Sequence, residues 1–136
     1  MAADPLARIA DFLDRFGRER NLALPPLGPD GVSHVQRGSA VVSIHVMVDR
    51  GVLLLLSRVK AAPPPSEALW RRLLEASFVS TGDAAFALHP KTGDLYLRIL
   101  RSLDNLDYDE FEDLVHTIAT VADEWDTRLA AEPAGP

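Results

Sequence analysis

The side chains best suited to proton or metal chemistry near neutral pH are four histidines, His34, His45, His89 and His116. A two-residue turn at Gly38-Ser39 would pair His34 with Ser43 across a hairpin, making His34 and His45 diagonal neighbours on one face of a sheet. Two imidazoles at that spacing are within reach of one transition metal, but no third ligand is apparent. We therefore predict neither a metal site nor a cofactor.

Carboxylates gather where a third helix is predicted to begin, and comprise Asp104, Asp107, Asp109, Glu110, Glu112 and Asp113. Their charge favours the positive end of the helix dipole, which is a sufficient structural reason for them. A calcium loop needs a central glycine, and this stretch has none. The chain also lacks a phosphate-binding glycine loop, a Gly-x-Ser-x-Gly elbow and a His-Glu-x-x-His pair. We predict that the protein is not an enzyme.

Length and composition define the setting in which these residues act. The 136 residues are enough for one domain, predicted at 1–129, with a flexible tail at 130–136. A formal net charge of -6 argues against nucleic-acid binding, which needs clustered basic residues. Without cysteine there are no disulfides, so we expect a cytoplasmic location. No apolar run is long enough to insert into a membrane.

Three helices are predicted from their start signals and apolar periodicity. Asp4 can cap a helix whose first position is Pro5, and apolar residues then recur at helical spacing to Arg20. Ser66 can cap a second helix that runs to about residue 76. Asp107, with Glu110 three residues later, resembles a capping box and begins a long helix that reaches about residue 129.

Five strands are predicted between these helices. Runs rich in β-branched residues occupy 32–37, 40–48 and 52–59, and two more at 84–89 and 95–101 flank a Pro- and Gly-containing turn. The order α-β-β-β-α-β-β-α predicts an α+β fold in which helices flank a twisted antiparallel sheet.

The third strand is apolar at both parities, so both faces of the sheet need cover. A three-residue connection at 49–51 would place Leu54 and Leu56 in the core, and would put Leu53 and Leu55 on the second face with His45 and Met47. A two-residue connection would exchange Leu53 and Leu55 with Val52 and Leu54. A helix, a second copy of the chain or a protein partner could cover the second face.

Several segments together carry a family resemblance. They are the strand-turn-strand at 87–97 (Ala-Leu-His-Pro-Lys-Thr-Gly-Asp-Leu-Tyr-Leu), the Leu-Asp-Asn-Leu at 103–106 before a long helix that reaches Trp125, and the Leu-Pro-Pro-Leu at 24–27. Over about 6–129 the chain resembles the type III secretion chaperones of the Tir-chaperone class, small acidic proteins that hold a secreted effector before export. The proline run at 63–65 and the short first strand depart from the family pattern.

The resemblance implies a cytoplasmic homodimer that holds a specific protein partner in an extended form. Carried onto this sequence, it implies partner-binding residues Leu13, Phe16, His45, Met47, Leu53 and Leu55, and dimer-interface residues Leu69, Trp70, Leu73 and Leu74. Each has a plain alternative, since Leu13 and Phe16 could be core residues and Trp70 could shield the sheet. The same fold also allows a signalling or scaffold adaptor without a secretion role.

Overall fold

A computed structural model describes residues 4–131 and has the element order predicted from the sequence. One further element, the short 3-10 turn Val48–Arg50, lies between the second and third strands. The bounds are α1 Pro5–Arg20, β1 Val32–Arg37, β2 Ala40–Met47, β3 Val52–Lys60, α2 Glu67–Val79, β4 Ala85–Leu88, β5 Leu95–Ser102 and α3 Tyr108–Ala131.

Each helix begins at the cap that the sequence predicts. The side chains of Asp4, Ser66 and Asp107 accept hydrogen bonds from backbone N–H groups of the first turn, which otherwise have no partner inside the helix. The donors are Leu6 at 3.1 Å, Leu69 at 3.1 Å and Glu110 at 2.8 Å.

The five strands form one antiparallel sheet in the order β1-β2-β3-β5-β4. Helix α3 lies across one face of this sheet, and α1 packs against both α3 and β2. The Phe16 and Phe111 rings meet edge to face at 6.4 Å, which joins α1 to α3. One core therefore fills the space between this face and the helices, and it includes Ile9, Val42, Ile44, Leu53, Leu55, Leu97, Ile99, Leu114 and Ile118.

Helix α2 flanks the outer edge of β4. The Ser77 hydroxyl accepts the backbone N–H of Phe86 at 3.0 Å, so a group that would otherwise be open at the sheet edge is paired. The ring of Phe86 packs edge to face on Trp125 of α3 at 5.1 Å, and Leu73 of α2 is buried. Helix α2 thus packs against the domain along one side, and its other side is exposed to solvent.

The connection between β2 and β3 differs from the predicted three-residue loop. Val48–Arg50 form the 3-10 turn and Gly51 completes it in the left-handed conformation, with φ of 66°. Met47 then pairs with Val52, so four residues connect the strands. A connection of four residues places the same side chains on each face as the two-residue alternative does, because only a change by an odd number of residues exchanges the two faces of a strand.

The third helix is slightly longer than the sequence predicts. Helix α3 continues to Ala131, two residues beyond the predicted boundary at 129. The remainder of the predicted tail, 132–136, lies outside the described residues.

Candidate functional site

The second face of the sheet, here called the open face, points away from the core. It is formed by alternate residues of the strands, comprising His34, Val41, Ser43, His45, Met47, Val52, Leu54, Leu56, Arg58, Tyr96, Arg98 and Leu100. The described helices lie on or beside the other face. Val41 and Leu100 are 47% and 51% exposed, whereas Leu54 and Leu56 are half-buried.

Two of the predicted partner-binding residues, His45 and Met47, lie on the open face and are half-buried. His45 Nε2 lies 3.1 Å from the Ser43 hydroxyl. Burial lowers the pKa of His45, the positive charge of nearby His34 lowers it further, and Asp30 acts weakly in the opposite sense. His45 therefore favours its neutral form when nothing is bound.

Leu53 and Leu55 were predicted on this face and instead lie in the core, where neither has any exposed surface. The prediction was wrong because it assumed an odd-numbered connection between β2 and β3. Val52 and Leu54 occupy the open face in their place.

Leu13 and Phe16 are also core residues, with 4% and 0% of their surface exposed, which is the plain alternative weighed for them. Leu13 nevertheless reaches a groove of about 570 Å³ between α1 and residues 22–27. Gly17 makes this arrangement possible, since a Cβ there would lie 2.9 Å from the carbonyl oxygen of Leu22. The groove leaves α1 with an accessible surface beside the proline-containing segment.

Helix α2 carries an exposed apolar surface, here called the α2 strip, formed by Trp70, Leu74, Phe78 and Val79. Leu74, Phe78 and Val79 are 69%, 91% and 74% exposed, and Trp70 is half-buried. Of the other predicted interface residues, Leu69 is half-buried and Leu73 is a core residue, only 3% exposed.

Sequence reasoning missed Phe78 and Val79. Phe78 follows Trp70 and Leu74 at steps of four, so the three share one side of the helix, away from Leu73 and Ala76. The sequence did contain this second apolar stripe. It was overlooked because the helix was expected to end near residue 76.

The outer edge of β1 is the second edge of the sheet, opposite the β4 edge that α2 flanks. Val32 directs its backbone outward, since its N–H is bonded to Asp30 at 3.3 Å and its carbonyl accepts the N–H of Gly28 at 3.0 Å. Backbone direction alternates along an antiparallel strand, so His34 and Gln36 also direct their N–H and C=O groups outward. An extended segment could add to the sheet at these two residues.

A network of hydrogen-bonded and charged groups joins α1 to α3 and has a structural role. The Tyr108 hydroxyl donates a 2.7 Å hydrogen bond to Glu19, which also pairs with Arg15 at 3.2 Å. Burial, together with the bond to Glu19, raises the pKa of Tyr108 to about 12, while the pKa of Glu19 is lowered mainly by that bond. The two groups therefore link the helices.

The described part of the chain contains neither a cluster of metal ligands nor a helix suited to cross a membrane. No three His, Cys, Asp or Glu side chains there come together as metal ligands would. None of its helices combines the length and apolar character of a membrane span.

A fully packed core beside exposed apolar surfaces on α2 and on the sheet defines an α+β protein-binding module. The model of the Tir chaperone protein (CesT) family matches residues 11–126. The chain therefore belongs to the Tir chaperone protein family, which confirms the resemblance seen in the sequence. No curated protein matches the sequence closely enough to indicate a relative.

Solved structures of the same fold include several complexes. A chain of the ExsC–ExsE complex superimposes with a TM-score of 0.75 at 22% identity, over 95% of this chain and 99% of that one. A chain of the HopA1–SchA chaperone–effector complex gives 0.72 at 14% identity, over 93% and 99%. A chain of the ExoU–SpcU complex of the Pseudomonas aeruginosa type III secretion system gives 0.66 at 16% identity, over 88% and 95%. These similarities confirm the predicted fold.

Proposed function

We propose that this protein is a chaperone that holds an extended segment of one specific bacterial protein, and that it does so as a homodimer. The observation that carries the proposal is the separation of two accessible apolar regions. One is the α2 strip, and the other comprises the open face with the α1 groove. Membership of the Tir chaperone family supports this role, as does the fold shared with a chaperone–effector complex.

The α2 strip has the properties of a dimer interface. One phenylalanine is 91% exposed and lies beside a leucine that is 69% exposed. Contact of this apolar surface with water is unfavourable, so covering it with another surface would lower the free energy. A strip on one helix is self-complementary when a second copy packs against it around a two-fold axis. Trp70 and Phe78 are of the residue types that contribute most to binding at the centre of interfaces.

The partner is assigned to the other region. The groove beside Leu13, the open face around His45 and Met47, and the β1 edge at His34 and Gln36 lie away from the α2 strip. An extended chain suits these features, because it can pair with a strand edge while its side chains enter apolar hollows. A folded adaptor partner is less well supported, since the family that matches is a chaperone family.

The remaining parts of the proposal follow from family membership. The protein is proposed to act without catalysing a reaction, in the cytoplasm, where a protein awaiting export has to be held. Residues 4–131 are proposed to work as one domain, because their buried residues form one core.

The experiment is co-expression with candidate partners identified by affinity capture and mass spectrometry from the host. We expect one dominant partner that is insoluble alone, soluble in the complex, and protected from protease over a single extended segment. Light scattering should give two copies of the chaperone in each complex. A partner that stays folded and soluble without this protein would instead support an adaptor.

A further inference from the structure

The charges of the open face differ in sign from those of the whole chain. The chain carries 20 Asp and Glu against 14 Lys and Arg, yet no Asp or Glu lies in any described strand. The strand residues that project from the open face are apolar, uncharged polar, histidine or basic, and the basic ones include Arg58 and Arg98. An acidic protein therefore presents a cationic sheet face.

The two arginines are available to a ligand. Arg98 lies opposite Leu56 in the β3–β5 ladder and is exposed, and its side chain makes no hydrogen bond or ion pair within the described residues. Arg58 lies opposite Tyr96 and is 60% exposed at the side chain, with a single 3.7 Å contact to Asp94. A contact of that length with a largely exposed arginine contributes little, so Arg58 can exchange it for another carboxylate.

Beside these arginines the open face forms a pocket of about 430 Å³ lined by three of the four histidines. His34 and His45 lie on one side of it and His89 on the other, with Leu56 and Tyr96 between them. The His89 Nδ1 accepts the backbone N–H groups of Lys91 and Thr92 at 3.2 and 3.3 Å. Its proton is therefore on Nε2, the position free to donate to a ligand.

Hydrogen-bond donors and cations thus surround an apolar floor. Besides the histidines, the ionisable groups around the pocket are Arg58 and Lys60 on β3, Tyr96 and Arg98 on β5, and Lys91 in the turn after β4. The acidic groups beside them are Asp94, which is in contact with Arg58, Asp126 of α3, which lines a neighbouring hollow with Arg58 and Lys60, and Asp30 beyond the start of β1, which acts on His45.

We propose that the open face binds an extended segment of the partner in which carboxylate side chains alternate with apolar ones. The apolar side chains would lie on Leu54 and Leu56, and the carboxylates would meet Arg98, Arg58 and the histidines. This proposal rests on the proposed chaperone function and adds the chemical class of the segment that is held.

Binding should then depend on pH in a defined direction. Protonation of His45 adds positive charge beside the bound carboxylates, and a bound carboxylate in turn favours that protonation. Because burial lowers the pKa of His45 below 6.5, affinity for an acidic segment should rise as the pH falls from about 7 to about 5, by roughly two- to tenfold.

The test uses three labelled peptides, Leu-Glu-Leu-Glu-Leu and its Gln and Lys counterparts, titrated with the full-length protein by fluorescence anisotropy. We expect the Glu peptide to bind several-fold more tightly than the Gln peptide, and to perturb the imidazole NMR signals of His34 and His45. The variant Arg98→Glu should lower the affinity for the Glu peptide by about tenfold, since attraction becomes repulsion. The control Arg50→Glu has the same charge change in the β2–β3 connection, and its affinity for the Glu peptide should stay within about twofold of the wild-type value.

Equal affinity for the Glu and Gln peptides, preference for the Lys peptide, no binding of any peptide, or indifference to Arg98→Glu would each overturn the proposal. These results are distinguishable from failure of the chaperone function. A protein that still keeps its captured partner soluble while showing no preference for the Glu peptide retains its function and has a segment of different chemistry.

Discussion

Ile44 lies directly opposite Leu55 in the β2–β3 ladder, and both side chains are completely buried. This pairing determines which residues of an otherwise uniformly apolar strand enter the core. It also determines which are left for a partner, since Leu54, one position away, faces outward with His45 as its cross-strand neighbour.

The pairing predicts unequal effects for two adjacent leucines. Leu55→Ala should lower the free energy of unfolding by about 2–5 kcal/mol, because it leaves a cavity in a closed core. Leu54→Ala should cost about 1 kcal/mol, since the side chain is only half-buried in the free protein. Urea unfolding of the two variants measures the difference. Equal losses would contradict the assignment of faces.

The α2 strip predicts a variant that dissociates the dimer and leaves the fold intact. Phe78→Glu removes an almost fully exposed ring from the proposed contact between copies, so light scattering should report a monomer with an unchanged circular dichroism spectrum. Val48→Glu is the control, because Val48 is 46% exposed in the β2–β3 connection and should leave the dimer in place. A Phe78→Glu protein that remains dimeric at the same concentrations would place the interface elsewhere.

Tyr108 predicts a loss of stability in alkali. Its pKa is raised from 10.0 to about 12 in the folded protein, so the folded state holds the phenolic proton more tightly than the unfolded state. The resulting stabilisation is complete below pH 10.0 and is lost as the pH rises through about 12.

The comparison for this prediction is Tyr108→Phe, which lacks the proton and the bond to Glu19. Below pH 10.0 the variant should be less stable than the wild type by about 1–3 kcal/mol, the usual contribution of a hydrogen bond to a charged acceptor. The difference between them should shrink as the pH rises toward 12. Urea unfolding at a series of alkaline pH values measures it, and a difference that stays constant would show that the tyrosine does not titrate in this range.

Asp107 predicts a measurable cap effect at α3. Asp107→Ala should cost about 1 kcal/mol, because the N–H of Glu110 loses its acceptor, whereas Asp107→Asn should retain most of the stability. Asp104→Ala removes a nearby exposed carboxylate outside the helix and serves as the control. Thermal unfolding distinguishes the cap from a general effect of acidic charge, which would make the two alanine variants alike.

These results indicate which parts of the fold are encoded locally. Asp4, Ser66 and Asp107 cap helices because a short polar side chain reaches the first-turn N–H groups whatever the rest of the chain does. The Gly38-Ser39 turn likewise produced the predicted pairing of His34 with Ser43. Such short-range signals predict element order and one hairpin register correctly.

The other register was not encoded in this way. At 52–56 every residue is apolar, so hydrophobic pattern could not choose a face, and the choice depended on whether the connection had an odd or even length. That length comes from the 3-10 turn at Val48–Arg50, whose sequence has no strong turn signal before Gly51. This register misplaced Leu53 and Leu55. Leu13, Phe16 and Leu73 are core residues for a different reason, since they lie on the inward sides of α1 and α2.

The hydrogen bond from Phe86 to Ser77 has a consequence for how the protein avoids aggregation. Because α2 blocks the β4 side of the sheet, strand addition can proceed from β1 alone. A pair of copies joined through α2 would offer two such edges, one for each copy, so client strands would add at two separate places. Within each copy the sheet could then extend on one side only, which limits the growth of a continuous cross-β sheet from it.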